Sequence, residues 1–198
     1  MSTPDLDLLD RWRAGDEPSG QELFARHFES LYSFFETKCP AEADELVQTT
    51  FLECIRSRDK FRAHSSFRTF LFAIARHTLY HLFRTRQRKY AKLDFEVSSI
   101  EDIVTTMRTR LAQNEEQQLL LQTLQRLPVE VQTLLELHYW EDMDIPELAE
   151  VFEVTPGAMR TRLHRARATL RDTMLHTAPA GVLETLDTMD VWARGQRA

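Results

Sequence analysis

The sequence predicts an all-α protein of two small helical domains, and three observations carry that expectation. Strand signals are nearly absent, while apolar residues recur at helical spacing along most of the 198 residues. Only five residues are glycine, so there is little turn chemistry of the kind an all-β chain needs. Hydrophobic residues make up 42% of the chain, too many for disorder and enough for two modest cores.

Residues 1–20 are polar and contain Gly15, Pro18 and Gly20, which reads as a lead made of a short helix and a loop. From Gln21 the helical pattern strengthens. Leu23, Phe24, Phe28, Leu31, Tyr32 and Phe35 mark an amphipathic helix that ends near Pro40. The next helix runs AEADELVQTTFLECIRS from about Ala41. It places Leu46, Val47, Phe51 and Ile55 inward, and Asp44, Glu45, Gln48 and Thr49 outward. So acidic an outer face suits either solvent or a basic protein partner.

A short loop, 60–66, precedes a helix over 67–86 with a core stripe of Phe70, Leu71, Ile74, Leu79 and Leu82. Here basic residues interleave with Phe61, Phe67, Phe70, Phe72, Tyr80 and Phe83. Cations that track a backbone beside rings that stack on unpaired bases suit single-stranded nucleic acid, although most rings in such a helix belong to the core. Periodicity fades over 90–113, where Asp94, Glu96, Glu101 and Asp102 give an acidic linker. Leucines at 119, 120, 121, 124 and 127 resume the helical pattern, and Pro128 opens a helix through Leu134, Leu135, Leu137 and Tyr139.

Residues 144–171 form the most informative stretch. Asp144 is an N-cap with Glu147 three residues on, a capping box, and Ile145, Leu148, Ala149 and Phe152 make a buried stripe. A second helix starts at the N-cap Thr155 with Pro156 in its first position. Its buried stripe is Met159, Leu163, Ala166 and Leu170. At about 100° per residue this leaves Gly157, Ala158, Arg160, Thr161, His164 and Arg165 facing away, with Arg162 and Arg167 at the flanks. Two short helices joined by a tight turn, the second presenting arginines beyond small N-terminal residues, fit the DNA major groove. The turn places Glu153 where glycine is usual, at a cost of about 1 kcal/mol for a left-handed backbone.

The formal net charge of −6 hides two basic islands, one between Arg56 and Lys92 and one between Arg160 and Arg171. Two islands in an acidic chain imply two nucleic-acid contacts and a further partner elsewhere. Cys39 and Cys54 are the only cysteines, with no CxxC pair, secretory signal or membrane-length apolar run, which predicts a reduced, cytoplasmic protein. His77 and His81 have metal-ligand spacing but no neighbouring acid or thiol to complete a set, so no metal or other cofactor is expected. No glycine-rich phosphate loop or nucleophile motif points to catalysis or to a small-molecule substrate.

In order, these segments resemble the sigma factors of bacterial RNA polymerase, in particular the extracytoplasmic-function (ECF) group of the sigma-70 family, which keeps the second and fourth sigma domains. The stretches that carry the resemblance are DELVQTTFLECIRSRDKFR, SSFRTFLFAIARHTLYHLFRTRQRK and LPVEVQTLLELHYWEDMDIPELAEVFEVTPGAMRTRLHRARATLR. Departures are local: Thr49 stands where the family often has an acid, His77 where it often has asparagine, and Glu153 at the turn glycine.

The resemblance implies a domain 2 over 21–92, a linker over 93–113, a domain 4 over 114–176 and a tail over 177–198. It implies that Asp44, Glu45, Gln48 and Phe51 dock on core RNA polymerase. It places Lys60, Phe61, Arg62, His64, Ser65, Ser66, Phe67, Arg76 and His77 at the melted −10 promoter element, where a base is flipped into a pocket. Arg160, Thr161, Arg162, His164 and Arg165 would contact the −35 duplex, Arg165 on phosphate. An anti-sigma factor is a further implied partner. Two other readings stay open from the residues alone: a helix-turn-helix regulator that binds duplex only, and, more weakly, a nucleic-acid-processing enzyme using His77 and His81, or His64 near Asp59.

Overall fold

The computed structural model describes residues 4–61, 65–86 and 123–177, the last three of these through their backbone. Among the described residues the regular structure is helical: α1 (Asp5–Arg13), α2 (Glu17–Glu36), α3 (Ala43–Ser57), α4 (Phe67–Arg86), α5 (Val129–Tyr139), α6 (Ile145–Val151) and α7 (Pro156–Thr177), with a 3-10 turn at Arg58–Lys60. The linker over 93–113, the leucines at 119–121 and most of the 177–198 tail lie outside the described residues.

The first half differs from the sequence reading at its start. The expected short leading helix is present as α1, but Pro18 and Gly20 belong to α2 and not to a loop. Helix α1 buries Leu8, Leu9 and Trp12 against α2, and α2 itself begins at Glu17 with Pro18 in its first turn. Only Gly15, at φ 101°, makes a turn. Gly20 is helical, and a Cβ there would stand 2.6 Å from Trp12 Nε1, so the missing side chain is what lets the indole lie on α2. Asp16 fixes the corner, accepting from Ser19 Oγ at 2.6 Å and from both Nε and Nη2 of Arg11. These contacts hold the Asp16 carboxyl below its usual range, the Ser19 hydroxyl first among them.

Helices α2, α3 and α4 then enclose Leu23, Leu31, Phe35, Cys54, Leu71, Phe72, Leu79 and Phe83, all inaccessible to solvent. Ile55 is a correction to the expected inward stripe of α3, since it and Leu52 are 41% and 46% exposed. Helix α4 is capped by Ser66, whose Oγ accepts the Thr69 N–H at 3.1 Å.

The second half is built as its caps foretell. Asp144 accepts from the Glu147 N–H at 2.9 Å while Glu147 accepts from the Asp144 N–H at 3.0 Å, and Thr155 Oγ1 accepts from Ala158 at 3.2 Å. Between α6 and α7 the turn is closed by Val154 N–H donating to the Ala149 carbonyl, and Glu153 has φ 56°. This is the strained left-handed position expected from the absence of glycine. Met159, Leu163, Ala166, Leu170 and Met174 hold α7 on α5 and α6.

The halves are packed together. Helix α4 lies along α6, and the hydrophobic residues of both halves join in one buried cluster.

Candidate nucleic-acid interface

The outer side of α7 is open. Gly157, Ala158, Arg160, Thr161, His164 and Arg165 are exposed, while the stripe on the opposite side of the helix is buried. A Cβ on Gly157 would meet nothing within 4 Å, so the N-terminal end of α7 is free to approach another molecule closely. Arg162 differs from the other four candidate duplex readers. It is half-buried and its Nη1 donates to Glu130 at 3.3 Å. Arg167, at the other flank, donates to the Tyr139 hydroxyl at 2.9 Å and contacts His138 Nε2 at 3.0 Å.

The candidates for melted DNA divide. Lys60 and Ser66 are exposed and Ser65 is half-buried, whereas Arg62 and His64 lie outside the described residues. Phe61 and Phe67 are buried, at 8% and 1% exposure, so neither ring is presented for stacking on a base here. The reason is local. Phe61 packs on Phe70 at 4.8 Å beneath the Arg13 guanidinium, which also hydrogen-bonds the Phe61 carbonyl, and Phe67 packs on His27 at 5.5 Å. His77 is exposed on α4, and Arg76 is sandwiched between Tyr80 at 4.6 Å and Phe152 at 4.8 Å.

On α3, Asp44, Glu45 and Gln48 are exposed as expected, and Phe51 is half-buried through stacking on Phe24 at 4.4 Å. The apolar side chains of Leu52 and Ile55 continue that surface, and Phe28 on α2 is 40% exposed beside Tyr32. This face thus combines acids with exposed apolar groups.

The sequence reading missed what sits opposite α4. Carboxylates of the second half meet polar groups of the first, pair by pair. Glu130 receives Arg76 at 3.1 Å and the Tyr80 hydroxyl, in addition to Arg162. Glu147, besides capping α6, accepts from Ser66 at 3.3 Å and Thr69 at 3.4 Å. Glu153 lies 3.6 Å from His77 and Glu141 lies 3.7 Å from Arg68. Glu136 meets the buried Lys38. Burial pushes the Lys38 ammonium down from its ordinary value, opposed by the Glu136 carboxylate, and pushes the Tyr80 phenol up. One signal was available: Glu136 interrupts the apolar run of Leu134, Leu135 and Leu137.

Among the described residues no group of three or more His, Cys, Asp and Glu is placed to hold a metal ion, and no helix is long and apolar enough to cross a membrane.

Two family models match the chain, Sigma-70 region 2 over residues 23–89 and Sigma-70 region 4 over residues 117–170. An RNA polymerase sigma factor of Bacillus subtilis, YlaC, is 30% identical over 160 residues, covering 78% of this chain and 91% of the relative. The chain belongs to the sigma-70 family. An ECF RNA polymerase sigma-E factor of Haemophilus influenzae is 25% identical over 173 residues, covering 82% of this sigma factor and 91% of the relative, and agrees with the ECF group. Two solved structures share the fold. The sigma factor RpoE in complex with the anti-sigma factor NepR from Bartonella quintana matches at TM-score 0.60 and 20% identity, covering 78% of this sigma factor and 94% of that chain. CnrH in complex with the cytosolic domain of CnrY matches at 0.64 and 22%, covering 88% and 99%. Membership makes this sigma factor a transcription initiation factor and not an enzyme.

The matched regions coincide with the two halves. Region 2 takes in most of α2 and all of α3 and α4, and region 4 takes in α5, α6 and most of α7. Helix α1 precedes both, although Leu8, Leu9 and Trp12 make it part of the first core.

Proposed function

We propose that this sigma factor docks on core RNA polymerase through α3, reads the −35 duplex with α7 and holds the melted −10 strand along α4 and the loop before it. The observation that carries the reading is the exposed face of Arg160, Thr161, His164 and Arg165 beyond a helix-turn-helix, on a chain whose other half presents a separate exposed acidic face at Asp44, Glu45 and Gln48. Arg160 and His164 face outward one helical turn apart and suit base edges in the major groove, while Arg165 suits phosphate. Arg162 reaches DNA only after leaving Glu130. Arg76 and His77 on α4 and Ser66 just before it supply cationic and hydrogen-bonding contacts to the strand, while Phe61 and Phe67 stay buried. Polymerase supplies all the bond-making chemistry.

An anti-sigma factor is a partner consistent with the two solved structures of the same fold, both in complex with a second protein, and the cytoplasm is the compartment this role requires. The test is transcription from a promoter library by core polymerase with and without the protein. Start sites that appear only on its addition, with two shared upstream elements, are the expected result. Duplex binding without any initiation would instead support a duplex-only regulator.

A further inference from the structure

The side of α4 that the proposed function assigns to the melted strand is occupied here by the chain's own carboxylates. Glu130 takes Arg76, Glu147 takes Ser66 and Thr69, and Glu153 stands beside His77. These are the donors and cations that would otherwise meet phosphates. By contrast, the outward face of α7 stays exposed in the same arrangement. We propose that the acids of the second half act as an internal stand-in for nucleic acid, closing the strand-binding side of α4 in the free protein while leaving duplex binding available. This inference rests on the proposed role of α4.

The chemistry favours a reversible closure. Glu153 and His77 are largely exposed, Glu130 and Arg76 are mostly covered, and Glu136 with Lys38 is buried. The outer pairs are screened as salt rises, since the Debye length falls from about 10 Å at 0.1 M to about 3 Å at 1 M. A strand brings a row of phosphates against the same groups, so strand and acids compete for one surface. Glu130 couples the two DNA-reading helices, because a single carboxylate holds Arg76 of α4 and Arg162 of α7. Opening therefore releases Arg76 from Glu130, whereas Arg162 lies in the same half as Glu130 and keeps that partner.

The test uses the full chain with fluorophores on Ala41→Cys and Ala168→Cys, both exposed positions, the native Cys39 and Cys54 being buried. Glu130→Gln/Glu147→Gln is compared with the parent; glutamine at 147 still accepts the cap hydrogen bond of α6. The variant is expected to lose energy transfer between the halves and to bind mixed-sequence single-stranded DNA about 5-fold to 20-fold more tightly, as removing a competing anion implies. Unchanged energy transfer, or unchanged strand affinity, overturns the inference. If the variant does not fold, the parent decides: energy transfer that falls with salt supports the closure, and energy transfer that is constant up to 1 M (about 3 Å screening) overturns it. Neither readout needs polymerase. Failure to initiate transcription would count against the proposed function, whereas failure here leaves that function standing and removes only the closure.

Discussion

The Lys38 ammonium, with no side-chain exposure, meets the Glu136 carboxylate across the boundary between the two halves. Lys38 Nζ also donates to the Phe34 carbonyl at 2.8 Å and lies 3.9 Å from the centre of the Phe34 ring, and Glu136 accepts from Gln132 at 2.8 Å. A buried pair so well supplied with hydrogen bonds does little for stability against an apolar replacement, but losing one partner strands the other. Its value here is register, since it sets how α5 sits on the end of α2.

Lys38→Met should therefore weaken the contact between the halves by about 3–5 kcal/mol, and Lys38→Met/Glu136→Leu should recover most of that. Energy transfer between the halves, read beside urea unfolding, separates opening from unfolding. The single variant is expected to open at low urea while each half stays helical.

Replacing Gly20 with alanine drives a methyl into the Trp12 indole, with Cδ1 at 2.7 Å and Cε2 at 2.8 Å. Both atoms belong to a rigid buried ring, so α1 must shift. The expected loss is about 1–3 kcal/mol, measured as a lower urea midpoint, with quenching of Trp12 fluorescence altered in the native state.

Glu153→Gly is expected to stabilise the second half by about 1 kcal/mol, because φ 56° costs a side-chain-bearing residue and not glycine. The lost approach to His77 is between exposed groups and contributes little. Thermal unfolding should shift upward with −35 duplex affinity unchanged.

For α7, Arg160→Ala and His164→Ala should each cost about 1–3 kcal/mol on the preferred −35 sequence and less on scrambled duplex. Arg165→Ala should weaken both duplexes alike and lower the salt slope by about one. Equal losses on both sequences for Arg160 would move it to the backbone class.

Burial pushes the Cys39 and Cys54 thiols up to about 12 from an ordinary value near 9. The folded state thus favours the protonated thiol. Its contribution is fully present below the unfolded value and is lost as pH rises from 9 through 12, so stability should fall across that window. Cys54→Ala should flatten the fall. At neutral pH both thiols should resist a disulfide reagent until the protein is unfolded.

Local rules carried the second half almost completely into the sequence. The Asp144 and Glu147 capping box, the Thr155 cap, the stripe of Met159, Leu163, Ala166 and Leu170, and the strained Glu153 all depend on neighbours within a few residues, so spacing alone determines them. The same holds for the acidic outer face of α3 and for the exposed reading face of α7. What only the tertiary structure decided lies at long range. Pro18 and Gly20 looked like a loop because the indole that requires Gly20 comes from another helix. Phe61 and Phe67 looked available because a ring's spacing does not say which neighbours cover it, and here Arg13, Phe70 and His27 do. The pairing of Glu130, Glu136, Glu141 and Glu147 with α2 and α4 joins residues 54 to 98 positions apart in the well-formed cases of Arg76 and Lys38. No helical period encodes a contact of that kind. Periodicity says which side of a helix is wet or dry, and only packing says which two sides meet.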